Sequence, residues 1–207
     1  MNFNLQTLPE RYANEKQQLV RAHSIQGILK YVNLLRGKNY ADSLVKTLKV
    51  PENYFKNSAS FVNPLFGDDL LDELQKDHFN DYQMREMGTM TLITNFHTPL
   101  GKIFRNMDSP LQIYRDVHEV YVDRFGNMVN YKILRLSETG CTIEIRPSEE
   151  ISEAFKTKFV GSRRMCLVLQ GIYISLLGSI QKRFAKLVEK ECMYQGSSQC
   201  IYEISWD

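Results

Sequence analysis

The run C166-L-V-L-Q-G-I-Y-I-S-L-L-G-S-I-Q-K-R-F-A-K-L-V-E189-K-E-C192-M-Y-Q-G-S-S-Q-C200 holds three of the chain's four cysteines. Cys166 opens an apolar segment of helical character. Cys192 and Cys200 flank a polar, glycine-containing turn between two strand-like runs, and Glu189 stands three residues before Cys192. Three thiolates and a carboxylate are enough for a four-coordinate tetrahedral zinc shell. Spacing alone leaves a second reading open, in which Cys166 is a small buried apolar residue, Glu189 is solvated, and Cys192 and Cys200 pack across the hairpin. The metal reading carries a geometric condition. In a regular strand Glu189 and Cys192 point to opposite faces, so both reach one ion only if a bulge or the strand end turns Cys192 around. Arg163, Arg164 and Lys190 lie close enough in sequence to offset the excess negative charge.

Outward from this run the chain separates into periods. Ile25, Ile28, Leu29, Val32 and Leu35 recur at helical spacing, and Gly37 supplies a stop. Tyr40–Leu48 reads as a second helix ended by Pro51, residues 51–63 as an irregular connection, and residues 1–20 as a loose arm or an exposed helix. Leu65, Leu70, Leu71 and Leu74 mark a third helix; Asp81 to Asn95 marks a fourth, and Pro99–Asn106 a short one. Ser109-Pro110 starts another, as cap and first helical residue, with Ile113, Tyr114, Val117, Tyr121 and Phe125 on its apolar side. The period then shortens. Met128–Leu136 and Cys141–Ile145 read as strands joined by S-E-T-G, and Ser148–Phe155 as a partly helical connection. A helix over about Ser162–Lys182 follows, then a hairpin of Lys186–Cys192 and Cys200–Trp206. Gly171 and Gly178 lie seven apart on nearly one helical face, which predicts close approach of another element there. The fold class is α+β: N-terminal helices on an antiparallel sheet of about four strands, in the order helices–hairpin–helix–hairpin. One unit is expected over 1–207, with a helical part to residue 108 and an α+β core over 109–207.

At 207 residues, 43% apolar and 24% charged, the chain can bury a substantial core. A net charge of +2 argues against a dedicated nucleic-acid binder. The longest apolar run, Met165–Ile180, is interrupted by Gln170, Ser175 and Ser179 and falls short of the ~20 residues a membrane span needs. With no signal-peptide pattern at the N-terminus, a cytoplasmic location is expected, where grouped cysteines mean metal more often than disulfide.

E189-K-E-C-M-Y-Q-G-S-S-Q-C-I-Y-E-I resembles the C-terminal signature of vinyl-reductase-type (4-vinyl reductase) sensor domains. Their superfamily also contains heme–nitric-oxide-binding domains and TRAPP vesicle-tethering subunits. The resemblance implies structural zinc on Cys166, Glu189, Cys192 and Cys200, a small apolar or aromatic effector, a homodimer, and an output signalling domain or protein. The heme-binding cousins attach iron through a helical histidine and carry a Tyr-x-Ser-x-Arg motif. His118 lies in the corresponding region, but the motif is missing, so heme is set aside as unlikely. Ile143, Ile145, Gln170, Leu187, Tyr202 and His118 are the expected effector contacts. The single tryptophan, Trp206, follows the last strand, away from where phenol-sensing relatives use theirs. Without a nucleophile elbow, phosphate-binding glycine loop or H-E-x-x-H, no enzymatic activity is expected. A TRAPP-like scaffold and a heme or tetrapyrrole carrier are the rival readings.

Overall fold

A computed structural model describes residues 4–94, 102, 106–116, 128–180 and 185–207. Asn63 starts the best-defined N-terminal helix. Its side chain accepts the Leu65 N–H, Pro64 occupies the first turn, and Phe66, Leu70, Leu71 and Leu74 are buried. This helix, α3 (Pro64–Lys76), packs with α1 (Ala22–Arg36), α2 (Lys38–Thr47) and α4 (Asp81–Thr94) around a helical core. Residues 4–19 carry three short 3-10 turns, and not a loose arm or a continuous helix. They lead to β1 (Val20–Arg21), which pairs antiparallel with β2 (Phe61–Val62). Neither strand was expected, because two residues carry no readable period.

The second core lies under a four-stranded antiparallel sheet of order β3-β4-β6-β5. Its strands are β3 (Val129–Ser137), β4 (Gly140–Pro147), β5 (Lys186–Glu191) and β6 (Cys200–Ser205). The chain is thus an α+β fold in the expected order. Alternate residues Cys141, Ile143 and Ile145 of β4 and Cys200, Tyr202 and Ile204 of β6 are buried on one face. Helix α5 is described over 110–116 and buries Ile113 and Tyr114; its expected continuation through Val117, Tyr121 and Phe125 lies outside the described residues, as does most of Pro99–Asn106. Trp206 stacks on Tyr114 with centroids 5.2 Å apart and donates its indole N–H to the Glu138 carbonyl at 2.8 Å, closing this core. The connection after β4 forms α6 (Glu149–Phe155), capped by Ser148.

Helix α7 (Arg163–Ser175) joins the two cores. Leu167 and Val168 belong to the helical core, while Cys166 and Tyr173 belong to the sheet core. It crosses α4 backbone to backbone at two glycines. A Cβ on Gly171 would stand 1.8 Å from the Arg85 carbonyl oxygen, and one on Gly88 would stand 1.9 Å from that of Val168. Gly178, the other glycine expected to permit close packing, has nothing within 4 Å. It lies in the 3-10 stretch Leu176–Ile180 that follows α7, where the helical period no longer holds.

His23, near the start of α1, is 6% exposed in the helical core. Burial lowers its pKa to about 4, only partly offset by a hydrogen bond to the Ser58 backbone. The unfolded chain therefore takes up this proton first as pH falls. Stability from this group is full above the unfolded value of ~6.5 and is lost as pH drops towards the folded value. Between about pH 7.5 and pH 5 the loss is roughly 2 kcal/mol. Denaturant midpoints at both pH values should show it in the parent chain, with a correspondingly smaller pH dependence in His23→Gln.

Candidate metal centre and apolar seam

The first turn of α7 delivers Cys166, and the second hairpin delivers the other three groups. One ligand atom from each of Cys166, Glu189, Cys192 and Cys200 lies within 4.8 Å of all the others. The Cys166 and Cys200 sulfurs are 3.4 Å apart, and those of Cys192 and Cys166 are 3.9 Å apart. Metal–sulfur bonds of ~2.3 Å in a tetrahedron put ligand atoms about 3.8 Å from one another. The three cysteines are 0–3% exposed.

A bulge meets the geometric condition. Register shifts between Glu189, opposite Tyr202, and Glu191, opposite Ile201. Lys190 is the extra residue, so Cys192 returns to the core face beside Cys200. Lys190 itself points away and pairs with Glu203 at 2.9 Å. Arg164 faces Asp72 and Gln75 on α3. Of the three cations expected to offset the cluster, only Arg163 does, contacting one Glu189 oxygen at 3.4 Å. The other, Glu189 Oε1, is buried with no hydrogen-bond partner among the described residues. A buried acceptor left without a donor costs ~1–3 kcal/mol, and a cation at the cluster centre would satisfy it.

The contact between the Cys166 and Cys200 sulfurs, helped by the Met193 backbone N–H, lowers the pKa of Cys200. That same contact, then burial, pushes Cys166 far above the ordinary thiol range. Burial raises Cys192. Cys141, raised by burial to about 12, lies elsewhere in the sheet core and packs there.

Among the described residues, none of the expected effector contacts lines the seam cavity. Ile143, Ile145 and Tyr202 are fully buried in the filled sheet core, and Leu187 packs against it. Gln170 accepts a hydrogen bond from Arg85 at 2.9 Å inside the α4–α7 crossing. His118 lies outside the described residues. A cavity of about 90 Å³ sits instead in the seam between the two cores, lined by Ile25, Ile28, Leu71, Met165, Cys166 and Met193 among others. Cys166 and Met193 thus border both the cavity and the cysteine cluster. The methionines gave no sequence signal, because a flexible apolar side chain serves a filled core equally well.

No protein-family model matches the chain, and no curated protein matches it either. Solved structures do match in fold. An H-NOX protein from S. oneidensis in the Fe(II)NO ligation state superposes with a TM-score of 0.68 at 12% identity, over 90% of this chain and 99% of that one. The Fe(II) unliganded H-NOX protein from K. algicida gives 0.66 at 11% identity, over 90% and 96%. An oxygen-binding H-NOX domain related to soluble guanylate cyclases gives 0.56 at 13% identity, over 90% and 95%. The chain has an H-NOX-like fold.

Two expectations are corrected. The similar solved structures are heme–nitric-oxide-binding domains and not 4-vinyl reductase domains. The hairpin signature that suggested the latter is a local feature, whereas the superposition spans nearly the whole chain. The same neighbours overturn the dismissal of heme, which rested on one missing polar motif. A large ring is held mainly by apolar burial, at ~25 cal/mol per Å², and a short polar motif does not report on that. Zinc, named as the cofactor, is shown neither by the geometry nor by the comparisons; what the geometry shows is a set of four converging donors.

Proposed function

We propose that this chain is a sensory domain that acts by binding a ligand and not by catalysis. The ligand occupies the seam between the helical core and the sheet core, and heme is the first candidate to test. The supporting observation is the apolar cavity at that seam, in a fold whose solved neighbours are described in Fe(II), Fe(II)NO and oxygen-bound states. The cavity lining suits an apolar ring. Its volume of about 90 Å³ is below the roughly 300 Å³ of an ordinary small-molecule site, so a tetrapyrrole would fit only if the two cores moved apart. That parting is the signal such a domain would pass to an output domain or protein. When bound, heme supplies an iron able to take a diatomic gas. His23 is buried in the helical core and His78 lies in the exposed turn after α3; His97 and His118, outside the described residues, are the histidines to test as those that would hold the iron.

Hemin titration followed by absorption spectroscopy tests this reading. A sharpened, shifted Soret band saturating near one equivalent is expected, and it should be lost in either His97→Ala or His118→Ala. The small apolar volume favours a second ligand class, small apolar molecules, read as a rise in melting temperature with benzene-sized probes. If hemin gives no saturable band and no such probe shifts melting, the sensory reading is wrong. The cysteine–glutamate cluster is proposed to hold a soft metal ion that pins α7 to the hairpin. Four protein donors leave no open position, so its role would be structural.

A further inference from the structure

Helices α1 and α2, joined at Gly37, splay apart around an open groove of about 630 Å³. Its floor is apolar and well ordered by packing: Ala41, Val45, Val50 and Phe55 are all buried. Its walls are cationic. Lys30 stands on α1, Lys38 and Lys46 on α2, and Lys49 borders the adjoining pocket with Lys46. All four are exposed, and the lysines held in ion pairs among the described residues are others, Lys76 and Lys190. Two acids, Asp42 and Glu52, also line the groove. The groove and its adjoining pocket thus carry four lysines against these two acids. An apolar floor is therefore bordered by a local surplus of positive charge.

We infer that this groove docks an acidic amphipathic helix from a partner protein. Its apolar stripe would lie on Val45, Val50 and Phe55, and its carboxylates would meet lysines on both walls. A ligand with a single carboxylate would engage one wall only. Lys38 to Lys46 spans eight residues of α2, about 12 Å, so a continuous run of anions is needed to use it. Helix-in-groove recognition sets anchors at i, i+3, i+4 and i+7. The inference stands independently of what binds in the seam.

The probe is a fluorescent synthetic helix of about 18 residues, roughly 27 Å long, with leucines at that spacing and glutamates elsewhere. It should bind the full chain one to one, weaken at least tenfold in Lys38→Glu/Lys46→Glu, and weaken as salt is raised. The same residues in scrambled order should bind at least tenfold more weakly. Both lysines are exposed, so the variant is expected to melt as the parent does. Binding indifferent to charge reversal, or to scrambling, would overturn the inference. So would phosphatidylglycerol vesicles that bind with the same reversal sensitivity while the helical probe does not.

Discussion

Gly171→Ala is expected to destabilise the chain by at least about 3 kcal/mol, at or above the usual range for overpacking. The added methyl would stand 1.8 Å from the Arg85 carbonyl oxygen and 2.7 Å from its carbon. Those are backbone atoms of α4, which cannot swing aside as the end of a long side chain can. Relief requires α4 and α7 to separate. That would stretch the half-buried Arg85–Gln170 hydrogen bond and lift Leu167 and Val168 away from the helical core. Gly88→Ala presses the same crossing from the other helix, at 1.9 Å from the Val168 carbonyl oxygen. Because both relax by the same displacement, the double variant should cost less than the sum of the singles. Gly178→Ala has open space around it and should change stability by no more than about 1 kcal/mol. Denaturant unfolding of the four variants decides the matter. A Gly171→Ala penalty under about 1 kcal/mol would mean the helices do not cross this closely.

The contrast between these glycines shows what the sequence could carry. Seven-residue spacing placed Gly171 and Gly178 on one face only if the helix ran straight through both, and it passes into a 3-10 stretch at Leu176. The order of helices and hairpins was legible because each element is longer than its period. The two-residue strands β1 and β2 were not, since two residues define no alternation. At the cysteine–glutamate cluster, the need for a bulge followed from parity. The bulging residue did not: Lys190 is excluded from the register by pairing with Glu203 across the outer face, a tertiary fact. The seam cavity was illegible for a related reason. Its lining comes from α1, α3, α7 and the turn after β5, and each residue taken singly looks like core. The hairpin signature led to 4-vinyl reductase domains and only alongside them to heme–nitric-oxide-binding ones, because 11–13% identity leaves few shared letters while nearly the whole backbone path superposes on H-NOX structures.

Cys200→Ser is expected to abolish metal loading and remove most of the stabilisation that metal gives. Cobalt(II) is a suitable probe, because thiolate coordination in a tetrahedral field gives visible bands that d¹⁰ ions lack. The parent chain should bind one equivalent with a thiolate-to-metal signature, and chelation should lower its melting temperature, since binding energy at a structural site is also folding energy. Cys200 is fully buried, 3.4 Å from the Cys166 sulfur. A serine there keeps the volume but offers a poor ligand for a soft ion. Cys141→Ser makes the control: it is equally buried but lies outside the cluster, so it should lose some packing energy and keep full loading. Glu189→Gln should fall between, retaining three sulfurs but placing a neutral group where Arg163 meets a carboxylate. Full cobalt loading in Cys200→Ser, or a parent chain whose melting ignores chelation, would show that the four groups only pack. Because Cys166 and Met193 border both the cluster and the seam, the test extends to the ligand. If the ion fixes their positions, its removal should change the affinity for hemin or a small apolar probe, and the ligand must in turn change the affinity for the ion by the same factor.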